Sequence, residues 1–188
     1  VKVTLDGDRD THDRARPLRG GQGTFDRILA NVAAVAGRCR ISIGGNDAGF
    51  ASVLTTCAQP AWLSNCNGAI DKAQAYVNQT LPGALNTLYA NIKARAPQAK
   101  VTVVGYPRIF NGVDCNLLTW FSSSEMTRLN AMADLVNSTT RARATAAGFS
   151  FADPTTPFVG HAVCSSSEWI NGLSNPIQES YHPNRTGQ

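Results

Sequence analysis

Gly44 and Gly45 close a short alternating run, Ile41-Ser42-Ile43, and the polar pair Asn46-Asp47 follows at once. Alternation of this kind predicts a strand, and paired glycines stop it where the backbone must bend tightly. A strand that ends so puts Asn46 and Asp47 at the carboxyl edge of a sheet, where open α/β folds bind ligands. The Asn46 amide can donate to a developing oxyanion. The same two residues would serve equally as caps of the next helix.

The rest of the chain supplies a parallel sheet for this strand to join. Val1 to Leu5 reads as a first strand entering a turn at Asp6-Gly7-Asp8, and the segment to Gly23, without periodicity, reads as an exposed loop. Thr24 opens a helix whose apolar residues Phe25, Ile28, Leu29, Val32 and Val35 recur at helical spacing up to Gly37. Strand, helix, strand in that order predicts a right-handed crossover. The pattern from Ala69 to Ala96 is helical but interrupted at Leu81-Pro82-Gly83, which predicts two consecutive helices. Lys100 to Val104 reads as a central strand buried on both faces. Asn111 to Ser122 is a long loop with Trp120 and Phe121 looking exposed, lining a pocket or packing on the sheet edge. Ser122 and Glu125 make a capping box for a helix that carries Met126, Leu129, Met132, Leu135 and Val136 to about Ala147, and Phe149 to Ala152 is a last short strand.

One domain accounts for 188 residues, with no repeat or linker to divide them. At 43% hydrophobic and 16% charged, with no long apolar run, no integral membrane segment is expected. The net charge of +4 comes from scattered arginines; Arg9, Arg14, Arg16 and Arg19 are interrupted by Asp8, Asp10 and Asp13 and lack interleaved aromatics, which argues against nucleic acid as a partner. Val1 does not open a secretion signal, so any such segment is expected outside these residues.

Of five cysteines, we pair Cys57 with Cys66 and Cys115 with Cys164, although four cysteines permit three pairings and spacing alone does not choose. Loop disulfides imply an oxidising compartment, hence secretion or the periplasm. Cys39 is left over. No Cys-x-x-Cys exists, and a metal-dependent hydrolase built on Asp47, His161 and His182 lacks zinc-ligand spacing, so neither metal nor cofactor is expected.

Near the carboxyl end stands Glu179-Ser180-Tyr181-His182-Pro183-Asn184. The proline biases His182 away from helical torsions, and Asn184 suits a helix cap, with 185–188 beginning that helix. An imidazole so held can present one ring nitrogen while the other is fixed by an acceptor, as a general base requires; surface or packing roles are the alternative.

Read together, the Gly-Gly-Asn-Asp and Ser-Tyr-His-Pro-Asn stretches resemble blocks III and V of the SGNH, or GDSL, hydrolases, a family of serine esterases and lipases. Tyr106-Pro107, Gly160-His161 before Cys164, and Trp169-Ile170-Asn171-Gly172 resemble its secreted bacterial lipase and phospholipase branch, a likeness covering about Ile41 to Gln188. The resemblance implies a three-layer α/β/α sandwich with a parallel sheet, no cofactor, a small-molecule or lipid ester substrate, and a monomer. It assigns Asn46 to the oxyanion and His182 to the base, with the imidazole oriented by Glu179 or by the Ser180 backbone carbonyl.

The family's Gly-Asp-Ser nucleophile block does not occur in this sequence. Gly7-Asp8-Arg9 is the nearest string, and Arg9 would mark a dead homologue. The preferred reading places Gly7 in block II as a second oxyanion donor, with the first strand and its serine preceding Val1, although residues 8–38 match the family poorly. The expectation is a secreted ester hydrolase whose nucleophile block is absent, so that this chain alone is weakly active or inactive. The alternative is an inactive lipid- or glycan-binding module of the same fold.

Overall fold

The computed structural model describes residues 2–4, 9–15, 17–34 and 38–188. The expected turn at Asp6-Gly7-Asp8, the Gly7 donor and the helix end at 35–37 lie outside the described residues. Four parallel strands, β1 (Lys2–Thr4), β2 (Arg38–Ser42), β3 (Lys100–Val104) and β4 (Ser150–Ala152), form one sheet in that order, with Ile41 in register with Val103. Between them run α1 (Arg9–Ala15) and α2 (Phe25–Ala34), then α3 (Phe50–Cys57), α4 (Cys66–Gln79) and α5 (Leu81–Arg95), then α6 (Ser123–Ala146).

Each crossover steps one strand further in the same direction, so right-handed connections bring their helices to a common face. In accord with this, α5 packs against α2 and α6, and α4 against α3 and α6. The sheet residues under them, Cys39, Ile41, Val101 and Val103, and Ile43 just past β2, are buried with Leu29, Leu88, Leu129 and Met132. Each such aliphatic side chain contributes about 1.5 to 3 kcal/mol by leaving water.

β3 occupies the sheet interior, as expected, but buries one face only: Val101 and Val103 are buried while Thr102 and Val104 are half-exposed. A run as short as Val-Thr-Val-Val does not by itself distinguish one covered face from two. The division at Pro82 holds, with Pro82 in the first turn of α5. The capping box at Ser122 and Glu125 is present with both of its reciprocal hydrogen bonds.

The segment expected as an exposed loop before Gly23 contains α1. Among its described side chains only His12 is fully buried, and one position makes no repeat to read. His12 is fully buried, its Nε2 3.0 Å from Thr24 Oγ1 and its ring 5.9 Å from Phe25. Asp13, from α1, accepts the Phe25 N–H at 2.7 Å, and Arg9 pairs with Asp26.

Two asparagines on α6, one heptad apart, hold the chain that leaves β3. Asn137 accepts from Tyr106 N and donates to Tyr106 O, both at 2.8 Å; Asn130 accepts from Ile109 N and Phe110 N and donates to Phe110 O. Gly105 makes this approach possible, since a Cβ there would stand 2.6 Å from Asn137 Oδ1. Asn137→Ala leaves both half-buried Tyr106 main-chain groups without these partners, which is expected to cost about 2 kcal/mol. Urea unfolding would read this as a lower midpoint at unchanged slope, and a loss under about 1 kcal/mol would show that the clamp is dispensable.

Candidate active site

Past β2 the backbone folds back on itself. Gly44 sits at φ +103°, a conformation that favours glycine. A Cβ on Gly45 would lie 2.9 Å from the Tyr106 ring, and Gly45 N–H donates to Tyr106 Oη at 3.1 Å. The turn is closed by Ala48 N to Gly44 O and Phe50 N to Gly45 O, both 3.0 Å, and it leaves Asn46 exposed. The capping alternative does not hold: the N-cap of α3 is Gly49, and no side chain caps that end. Asp47 is half-buried and walls an open cavity of about 530 Å³ between α3 and α4, with Ser52, Val53, Lys72 and Tyr76.

His182 belongs to the segment following β4, which is held by hydrogen bonds between loops more than by regular structure. Phe110, beyond β3, bridges to Val163; Trp169 N donates to His161 O; and Ile170 bridges to Pro183. Asn171 donates from its N–H to His182 O and accepts from Tyr181 N, both at 3.0 Å. The loops that follow β2, β3 and β4 are thus tied to one another, Gly45 to Tyr106, and Phe110 to Val163 and to the Tyr181 ring beside His182.

The His182 ring is exposed, with Nδ1 3.0 Å from the Ser180 carbonyl oxygen. Of the two orienting groups offered by the sequence, the Ser180 carbonyl stands at the ring. Glu179 acts through its backbone oxygen, which accepts from His182 N at 3.2 Å and Asn171 Nδ2 at 3.1 Å. The Ser180 hydroxyl receives Ser174 N–H at 3.0 Å, which fixes the carbonyl's own turn. Residues 185–187 form a turn rather than a helix, held by Thr186 N–H and Gly187 N–H on Asn184 Oδ1.

Tyr181, directly before the histidine, has φ +60°, a strained conformation for a residue with a large side chain. Its ring is wedged against Phe110 at 6.0 Å and Phe121 at 5.7 Å. Burial first, and the Asp114 carboxylate second, push the Tyr181 phenol up to about 12. Phe121 is accordingly core, whereas Trp120 is exposed; the sequence had both looking exposed.

Both paired disulfides are present, Cys57 to Cys66 and Cys115 to Cys164, and Cys39 is a buried thiol. Cys115, Cys164 and Glu168 lie close enough together to suggest a metal, but the two sulfurs are bonded to each other and offer no thiolates. His161 Nδ1 is 2.7 Å from the Ser167 carbonyl oxygen, and its ring stacks on Trp169 at 3.8 Å. Sequence reasoning missed Asn130 and Asn137, although asparagine inside a helix is disfavoured and so invites a reason.

The model of the GDSL-like lipase/acylhydrolase family matches residues 5–188. A lipase of Streptomyces rimosus is 44% identical over 149 residues, which cover 79% of this chain and 54% of that protein. The chain therefore spans about half the length of this curated relative. The crystal structure of an extracellular lipase from Streptomyces rimosus superposes with a TM-score of 0.78 at 40% identity, over 88% of this chain and 71% of that one. That of phospholipase A1 from Streptomyces albidoflavus gives 0.80 at 36% identity, over 88% and 70%.

Proposed function

Because the chain belongs to the GDSL-like lipase/acylhydrolase family, we propose that it carries the base and oxyanion half of a carboxylic-ester hydrolase that works by serine acyl transfer. The observation that carries this reading is the 3.0 Å contact of His182 Nδ1 with the Ser180 carbonyl. A carbonyl accepts only, so Nδ1 bears the proton and Nε2 holds the lone pair that removes one from a serine hydroxyl. The serine oxygen then attacks the ester carbonyl, and the Asn46 amide donates to the oxygen that gains charge. Gly7 N–H is the second donor in this reading. The imidazolium, its Nδ1–H on the Ser180 carbonyl, returns the proton to the leaving alcohol. Water, deprotonated by the same nitrogen, releases the acid.

No serine of this sequence stands in a Gly-Asp-Ser block. Ser42 lies in β2 and Ser122 is occupied as a cap, so neither is assigned as the nucleophile. The 188 residues alone are expected to hydrolyse a soluble short-chain aryl ester weakly or not at all. A chimera joining the Gly-Asp-Ser strand of the Streptomyces rimosus lipase ahead of residue 1 is expected to gain activity that depends on His182. Strong hydrolysis by the 188 residues, retained without His182, would refute the assignment.

Substrates in this reading are lipid or small-molecule esters, the protein is secreted, and it acts as a monomer; the disulfides fit an oxidising compartment. Among the described residues no helix is long and apolar enough to cross a membrane. The missing Gly-Asp-Ser string favours a second reading, an inactive lipid- or glycan-binding module. A chimera that stays inactive, while ligand affinity is unaffected by His182→Ala and Asn46→Ala, would decide for it.

A further inference from the structure

Two neighbouring loops, the second of which is tied to the segment bearing His182, carry large apolar side chains that nothing among the described residues covers. In 58–65 these are Trp62, 81% exposed, and Leu63; in 111–122 they are Leu117, 96% exposed, Leu118 and Trp120. The loops meet where Trp120 N–H donates to Ala58 O at 3.2 Å, and each is tied down by its own disulfide. Twenty residues in the two segments include one charged group, Asp114. Its carboxylate is spent internally, accepting from Thr119 Oγ1 at 2.7 Å, Phe121 N at 3.0 Å and Asn116 N at 3.2 Å.

The geometry points to a lipid-docking edge: Trp62, Leu63, Leu117, Leu118 and Trp120 enter the head-group region of a zwitterionic phospholipid surface. The inference rests on the ester-hydrolase reading and names the physical form of its substrate. Protruding leucines need a medium that opens around them, which a fluid lipid layer supplies, whereas a protein partner needs a pocket shaped in advance. A second copy of this chain offers a poor socket, since in the open cavity between α3 and α4 Asp47 and Lys72 stand among Val53, Ala73 and Tyr76, and leucines seated there would desolvate those charges. Indole rings prefer the boundary between hydrocarbon and water. The disulfides fix both loops beforehand, so insertion orders little new chain. Phe121, next to Trp120, packs on Tyr181, and this connects the edge to the residue before His182.

The test uses the full chain and phosphatidylcholine vesicles, read by co-sedimentation and by the blue shift of tryptophan emission. Binding is expected, insensitive to added salt because the edge is uncharged. Leu117→Asn with Leu118→Asn, and separately Trp62→Ser, should each weaken partitioning about tenfold or more. Hydrolysis of a soluble ester by the Gly-Asp-Ser chimera should be unchanged by these substitutions. Variants that bind as well as the parent would overturn the proposal. So would binding that needs anionic lipid and fades with salt, since that assigns it to the arginines. A concentration-dependent dimer that the substitutions abolish, with no vesicle binding, would assign the edge to a second copy. Loss of the hydrolase reading shows separately, as a chimera inactive on soluble ester whose parent chain still binds vesicles through these side chains.

Discussion

In the Gly-Asp-Ser chimera, His182→Ala is expected to lower kcat for a soluble aryl ester by about four orders of magnitude, with little change in KM. The imidazole is needed twice, to take the serine proton and to return it to the leaving alcohol, and neither demand is met while substrate merely binds. Asn46→Ala should cost less, about a hundredfold to a thousandfold, because one donor to the oxyanion is lost while proton transfer survives. Glu179→Gln separates the two orienting groups. The Ser180 carbonyl stands at Nδ1 while Glu179 contributes its backbone oxygen, so exchanging the carboxylate should leave kcat within about threefold, the scale of surface substitutions. Should Glu179→Gln cost as much as His182→Ala, the carbonyl assignment would be wrong and the carboxylate would take its place.

What the sequence revealed follows the range of each physical signal. Pro82 in the first turn of α5 and the Ser122–Glu125 box are decided within four residues, and both were legible. The strand ending at Gly44-Gly45 was legible too, because φ +103° and the close approach of Tyr106 leave room for little besides glycine. α1 was hidden because its one buried side chain among those described, His12, makes no periodicity, and what it packs on, Thr24 and Phe25, stands at the start of the next helix. Phe121 looked like its neighbour Trp120 until Phe110 and Tyr181 arrived from other parts of the chain. The choice between capping and presenting Asn46 turned on Gly49, three residues on, taking the N-cap position. The group that orients His182 is a main-chain carbonyl, which any residue possesses and no side chain announces.

Replacing Cys115 and Cys164 together by serine is expected to cost about 4 kcal/mol of stability, against about 3 for Cys57 with Cys66. The difference comes from the unfolded chain: the first bond closes 49 residues and the second 9, and longer loops lose more freedom on closure. The native side sharpens the contrast. Cys57 and Cys66 join the end of α3 to the start of α4, helices that already pack on each other. Cys164 instead sits in the segment after β4, which holds only isolated bridges and the short 3-10 helix Ile177–Glu179, and which carries His182. Removing its tie to Cys115 should therefore lower the melting temperature by about 10 °C. In the chimera, ester hydrolysis should fade on warming before the helices melt, since the histidine's loops open first. Burial pushes the Cys39 thiol up, which keeps it from attacking either bond and keeps the two variants comparable. Calorimetry with circular dichroism and an activity profile against temperature would check this. Equal losses for the two pairs, or activity that falls only with the helices, would show that the segment bearing His182 is held by its hydrogen bonds alone.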